Sequence, residues 1–311
     1  MKHGWEDRVP AWLRYSMLSM LAYGVWGAVS SLASQNVSPL TLQIVSTAGL
    51  FPVALVLMFS KNLSQGSNRS RGILLAIATG LIGGTGNLTL YQALRIGGEA
   101  SVIFPLTGMY PLVTLLLARM LLKETLNRVQ SFGIALALVA IYLFSAQQSS
   151  HGFSGWRDLF SEWMAYSLLT LLLFGMSCIT QKFTTKYISD ELSTIFFTVG
   201  FVLLAIVIWM VGSPPWGLSG KDWTVGIAVG LMMAIGTLAL FAAMRRGKAS
   251  IVTPLAALYP LVTVILAVAF LNEHLTLTKI AGIAIALTAA IALSKEDEMQ
   301  PATVPSPSPG Q

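Results

Sequence analysis

The pentapeptide Tyr110-Pro111-Leu112-Val113-Thr114 recurs, letter for letter, as Tyr259-Pro260-Leu261-Val262-Thr263. The separation (259 − 110 = 149) is close to half of a chain of 311 residues. Both copies sit in long apolar stretches that read as helix, where a proline is out of place unless it has work to do. An ungapped alignment outward from the pentapeptides, 100–138 against 249–287, leaves 19 of 39 positions identical. The matches include Ala100-Ser101 with Ala249-Ser250, Pro105 with Pro254, Glu124 with Glu273, and GIALAL with GIAIAL. With a register one residue longer, Gly80, Gly86, Ala93, Arg95 and Gly97 match Gly230, Gly236, Ala243, Arg245 and Gly247. Tyr15-Ser16 and Gly24 match Tyr166-Ser167 and Gly175 more faintly. The chain is one unit written twice.

Composition says what medium that unit lives in. Hydrophobic residues make up 55 % of the chain and charged ones 10 %, against about 25 % charged in a soluble domain. The mean hydropathy is +0.72. Apolar runs of about 20 residues recur from end to end, the length that crosses a bilayer as helix. They are too long and too uniform for barrel strands. Ten spans are expected, near 14–34, 39–60, 72–95, 100–122, 127–146, 162–183, 190–212, 221–245, 249–271 and 276–294. The fold class is therefore all-α integral membrane protein, ten transmembrane helices in two inverted five-helix repeats. The expected organisation is an N-terminal segment 1–13, a first repeat 14–146, a linker 147–161, a second repeat 162–294 and a disordered tail 295–311. The first span follows a basic start, as a signal peptide would, but the repeat needs it as a structural helix.

Five spans per unit is an odd number, so the second copy enters the membrane from the opposite side. The charges agree. With the N-terminus inside, the cytoplasmic segments hold 15 Lys and Arg and the outer segments hold Arg95, Arg157, Lys221 and Lys279. By the positive-inside rule both termini are cytoplasmic. The net charge of +6 thus reads as topology, and no nucleic-acid partner is expected.

Ten spans in a 5+5 arrangement, paired turns before spans 4 and 9, YPLVT in both, and Glu124-x-Leu126 with Glu273-x-Leu275 resemble the EamA family of the drug/metabolite transporter superfamily. The resemblance covers about 14–294. It implies a carrier, often an exporter, of small metabolites such as amino acids in the cell membrane, with a central cavity between the repeats.

Candidate site residues follow from cost in lipid. Pro105, Pro111, Pro254 and Pro260 are expected to free backbone carbonyls, including those of Ser101 and Thr107, and to kink or hinge spans 4 and 9. Tyr23 and Trp26 share a face of span 1; Asn87 and Tyr91 stack on span 3 with Gln92 beside them; Thr107 and Tyr110, and Tyr259 and Thr263, share faces of spans 4 and 9. These polar faces should point into the bundle as substrate-binding groups, with helix-to-helix bonding as their plainer role. Because Trp26, Asn87, Tyr91, Gln92 and Thr107 are replaced in the second copy, the first half is expected to build the polar wall, facing a more apolar half with Met232 and Met233. Glu124 and Glu273 fall at helix ends and read as structural, closing a turn or pairing with a base. Cys178 reads as a small packing residue. His3, His151 and His274 lie outside the spans or at their ends, so neither intramembrane catalysis nor a metal or other cofactor is expected. Without a fixed charge in mid-span, the cargo is expected to be neutral, zwitterionic or aromatic, moved by alternating access. A channel-like facilitator and a non-transporting receptor are the alternatives. A fused inverted pair needs no second subunit, so a monomer is expected.

Overall fold

Helix starts come in matched pairs. The Thr41 N–H donates to the Ser38 hydroxyl at 3.2 Å, and its counterpart, the Leu192 N–H, donates to Ser189 at 3.2 Å. The Arg71 N–H donates to Asn68 at 3.2 Å, and the Asp222 N–H to Ser219 at 3.2 Å. Each cap satisfies a donor that the first turn of a helix leaves open. The computed structural model describes residues 10–63, 66–97, 99–122, 127–147, 161–247, 252 and 255–293. Its principal helices are α1 (Ala11–Asn36), α2 (Pro39–Leu57), α3 (Arg69–Arg95), α4 (Ala100–Gly108), α5 (Pro111–Leu122), α6 (Arg128–Gln147), α7 (Glu162–Thr184), α8 (Asp190–Val211), α9 (Gly220–Arg246), α10 (Tyr259–Phe270) and α11 (Leu277–Leu293). Glu124, Pro254 and the expected linker and tail lie outside the described residues, apart from Gln147 and Ser161 at the ends of the linker.

Among the described residues seven stretches are long and apolar enough to cross a bilayer, with α4 and α5 together forming one of them, and three shorter apolar helices bring the total to the ten expected. Large apolar side chains cover the outside: Val56 is 70 % exposed, Val211 81 % and Leu277 86 %. Water would not tolerate such a surface; lipid does. The chain is an all-helical membrane protein built as two inverted repeats, and its packing shows the two-fold relation between them directly. α1 packs on α9 as α7 packs on α3; α2 meets α9 as α8 meets α3; α1 meets α10 as α7 meets α5; and α6 pairs with α11 across the pseudo-two-fold. Below, the near end is the one at which α1 begins, and the far end the one at which it finishes.

The crossings of α2 with α9 and of α3 with α8 are made by glycine on glycine. A Cβ at Gly230 would lie 1.7 Å from the Ser46 carbonyl oxygen and 2.9 Å from the Gly49 Cα. A Cβ at Gly80 would lie 2.1 Å from the Phe197 carbonyl oxygen and 3.1 Å from the Gly200 Cα. Apolar attraction between helices is weak in lipid, so small residues that let backbones touch supply much of the association energy.

The repeated pentapeptide proves to be a break. α4 contains Pro105, ends at Gly108, and the helix resumes as α5 at Pro111; likewise α10 starts at Tyr259 with Pro260 in its first turn. Spans 4 and 9 are thus not continuous kinked helices, as the sequence suggests. Nor is the Thr107 carbonyl left free: the Tyr110 N–H donates to it at 3.1 Å, the tighter turn replacing the bond that Pro111 cannot make. Each threonine of the pentapeptide binds the other half. Thr263 donates to the Gly24 carbonyl at 3.0 Å and Thr114 to the Gly175 carbonyl at 3.1 Å. Thr114→Val and Thr263→Val should each lower stability by about 1 kcal/mol, within the range of such bonds in membranes, and thermal unfolding in detergent would check it. Equal losses would show that the two junctions are energetically equivalent.

Candidate functional site

At the middle of the bundle a cavity of about 680 Å³, mouth included, lies between the repeats. Its walls come in pairs related by the repeat: Tyr23 with Phe174 (174 − 23 = 151), Asn87 with Thr237 (237 − 87 = 150) and Tyr110 with Tyr259 (259 − 110 = 149). Trp26 and Ser177, and Gly83 and Met233, are paired in the same way. The cavity therefore sits on the pseudo-two-fold axis. Its remaining lining, including Gln181, Phe197, Leu240 and Ala256, lies on the near-end side.

One wall is an aromatic box. The Trp26 ring meets Phe104 edge-on at 5.6 Å between centroids, and stands 6.1 Å from Tyr23, 6.3 Å from Phe174 and 6.4 Å from Tyr259. Tyr23 and Tyr259 are 6.0 Å apart. Such tilted and edge-on contacts hold the rings while leaving faces for a flat or apolar ligand. Gly27 is why the indole can lie there: a Cβ at this position would meet the Thr263 hydroxyl at 2.4 Å, so α1 comes this close to α10 only as glycine. The Tyr23 hydroxyl shares a 2.9 Å hydrogen bond with Thr237. The Asn87 amide N–H donates to the Met233 sulfur at 3.0 Å. Among the described lining residues there is no carboxylate, amine, guanidinium or imidazole.

The expected site residues divide accordingly. Tyr23, Trp26, Asn87, Tyr110 and Tyr259 line the cavity. Tyr91 is fully buried behind it, its hydroxyl accepting from Asn87 at 3.5 Å. Gln92, on the neighbouring flank of α3, is partly buried and outside the lining. Thr107 and Thr263 do not reach the cavity either. Thr107 donates to the Ile103 carbonyl at 2.8 Å, and Thr263 is occupied by Gly24. The second half is less apolar than expected, because Ser177, Cys178, Gln181 and Thr237 all lie on the wall. Of the two methionines only Met233 lines it. Ser177 and Thr237 could have been found by asking where the partner of each chosen first-half residue falls. Cys178, next to Ser177 on α7, is a wall residue as well as a packing one.

At the far end the halves are clasped. Glu273 accepts from the Ala100 N–H at 2.8 Å with one carboxylate oxygen and from the Ser101 N–H at 2.9 Å with the other. It thereby caps α4 of the opposite repeat, favoured both by the open donors there and by the positive end of the helix dipole. Local chain direction delivers it: Asn272 has φ +55°, a left-handed turn that Asn tolerates, immediately after α10. Lys279 pairs with Glu99 beside it, and Arg95 donates to the Gln35 carbonyl at 3.0 Å. At the near end Asp190 pairs with Arg245 at 3.1 Å, and Asn62 donates to Glu191 at 2.8 Å.

The model of the EamA-like transporter family matches residues 11–146 and again 161–295. An uncharacterized transporter of Sinorhizobium sp is 27 % identical over 138 residues, covering 43 % of this chain and 96 % of that protein. An uncharacterized protein of Methanocaldococcus jannaschii is 42 % identical over 74 residues, 24 % of this chain, and the match spans about half of that relative's length (54 %). A crystal structure sharing 17 % sequence identity superposes with a TM-score of 0.62 over 90 % of this chain and 96 % of the other, a likeness of fold.

Proposed function

Because the chain belongs to the EamA-like transporter family, a family of membrane transporters, we propose that it carries small neutral, zwitterionic or aromatic metabolites across the cell membrane by alternating access. The observation that carries the reading is the cavity on the pseudo-two-fold, aromatic and uncharged, reached by wall residues on the near-end side while Glu273 clasps the far end. A wall without a fixed charge gives a charged cargo no counter-ion, and desolvating an unpaired charge is costly. Ring faces and a few hydrogen bonds instead suit a molecule with a flat or apolar body and a polar end. The two repeats, 14–146 and 162–294, rock as units, the near end facing the cytoplasm with both termini, and one chain suffices as carrier.

The test is efflux from proteoliposomes loaded with a mixed pool of amino acids and small neutral metabolites, read by mass spectrometry with and without a pH gradient. A few compounds should leave selectively. Trp26→Ala combined with Asn87→Leu should slow them about tenfold or more, since a well-made site loses roughly 1–3 kcal/mol with each anchoring contact. Selective efflux that the double variant leaves unchanged would put the site elsewhere. Flux that never saturates would replace the carrier by a channel.

A further inference from the structure

Above the cavity, towards the far end, several buried polar atoms make no well-formed hydrogen bond to protein among the described residues. Both amide atoms of Gln43, the indole N–H of Trp26, the hydroxyl of Ser30 and the amide oxygen of Asn87 are all in this condition. Gln43 is fully buried, as are Ser30 and Asn87, and Trp26 is 3 % exposed. A buried polar group is normally satisfied, so each exception asks for a reason. These five share one place, apart from the others on Ser101, Ser161, Trp163 and Glu191.

The helix faces converge. Gln43 and Ser46 lie on one side of α2, Trp26 and Ser30 on one side of α1, and Gly84, Asn87 and Tyr91 on one side of α3. The Gln43 amide nitrogen would stand 3.5 Å from a Cβ at Gly84, one turn before Asn87. The Tyr91 hydroxyl sits beside Ser46, Trp26, Ser30 and Asn87, so the three faces meet around it. Trp26 and Asn87 also line the cavity. The niche therefore adjoins the cavity on its far-end side.

We propose that this niche is the polar subsite of the substrate cavity, with Gln43 as its principal specificity-determining residue, and that it takes a neutral group that both donates and accepts hydrogen bonds, such as a carboxamide. The inference rests on the carrier reading and narrows its cargo. The inventory decides the chemistry. Trp26 and the Gln43 amide nitrogen offer donors, while the Gln43 and Asn87 oxygens offer acceptors. A carboxylate would use only the donors and an ammonium only the acceptors, each leaving the opposite set unmatched at full desolvation cost. A carboxamide matches both. Gln43 keeps this property whichever way its amide is turned.

The test uses equilibrium binding to the full chain in nanodiscs, with four probes that share a phenyl ring for the aromatic box: phenylacetamide, its N,N-dimethyl form, phenylacetate and phenethylammonium. Wild type should bind phenylacetamide about tenfold or more tighter than the other three, since a site built to hydrogen-bond rejects analogues lacking the group. Gln43→Leu, nearly the same shape, should reduce the preference over the N,N-dimethyl form to about threefold or less. Ser30→Ala gives a second reading should Gln43→Leu misfold, and should also narrow the preference. A preference for phenylacetate or phenethylammonium, none among the four, or an amide preference retained in both variants would overturn the proposal. Because binding is read at equilibrium, absence of flux in proteoliposomes would remove the carrier reading without altering this ratio.

Discussion

Gly230→Ala is expected to cost more than about 4 kcal/mol, beyond the range of ordinary substitutions, and to leave little protein folded. The new Cβ would stand 1.7 Å from the Ser46 carbonyl oxygen. Backbone cannot swing aside as a side chain can, so α2 and α9 would have to separate along their whole crossing. That crossing joins the two halves, and its partner at Gly80 and Gly200 joins them again by the inverse contact. Separation would also pull apart the Gln43 and Ser46 face of α2 from its neighbours. Gly220→Ala supplies the control on the same helix, because a Cβ there meets nothing within 4 Å. The monodisperse fraction after detergent extraction would decide it: near zero for Gly230→Ala, at or above wild type for Gly220→Ala. Comparable yields would mean that the close crossing is not needed.

Glu273→Ala should release the far-end clasp without unfolding the protein. Its carboxylate accepts two backbone hydrogen bonds, and bonds to charged groups contribute roughly 1.5–3 kcal/mol each. Losing about 3 kcal/mol from one conformation shifts its balance with the other by about a hundredfold. Glu273→Gln, which retains an acceptor but no charge, should fall between. The single cysteine is a built-in reporter: Cys178 is the one thiol in the chain and lies on the cavity wall. In wild type an impermeant maleimide should label it from the near side. In Glu273→Ala that labelling should slow about tenfold or more, as the population moves to the opposite opening. Unchanged labelling would leave Glu273 a mere helix cap.

Hydrophobic length, the repeat and its inversion were legible in the sequence because each depends on local pattern. So was the inward placement of Tyr23, Trp26 and Tyr259, since large polar-tipped rings in mid-span have few acceptable places; that they meet as a box was not. The break at YPLVT was not. Proline removes a donor, but whether the helix bends or stops depends on what takes the freed carbonyl, and here the Tyr110 N–H does. Rotation of a helix about its axis is equally hidden. Gln92 and Thr107 share general faces with true wall residues, yet miss the cavity by part of a turn, while Ser177 and Gln181 reach it. Gln43 did leave a signal, an amide inside the apolar run PLTLQIV. A polar residue at membrane depth is a functional hypothesis by default. Glu273 could be read as a helix-end acid, but its partners lie 172 and 173 residues away in sequence.

The clasp also has a genetic consequence. Glu273 holds Ala100 and Ser101 by their main-chain N–H groups alone, so what it recognises is present in almost every amino acid. An alanine scan would find the acid and pass over its receptor, and a search for compensating mutations would meet silence at 100 and 101. Only proline, which lacks the N–H, would expose the receiving side. A contact of this kind lets one half of the molecule drift in sequence while the other stays bound to its glutamate.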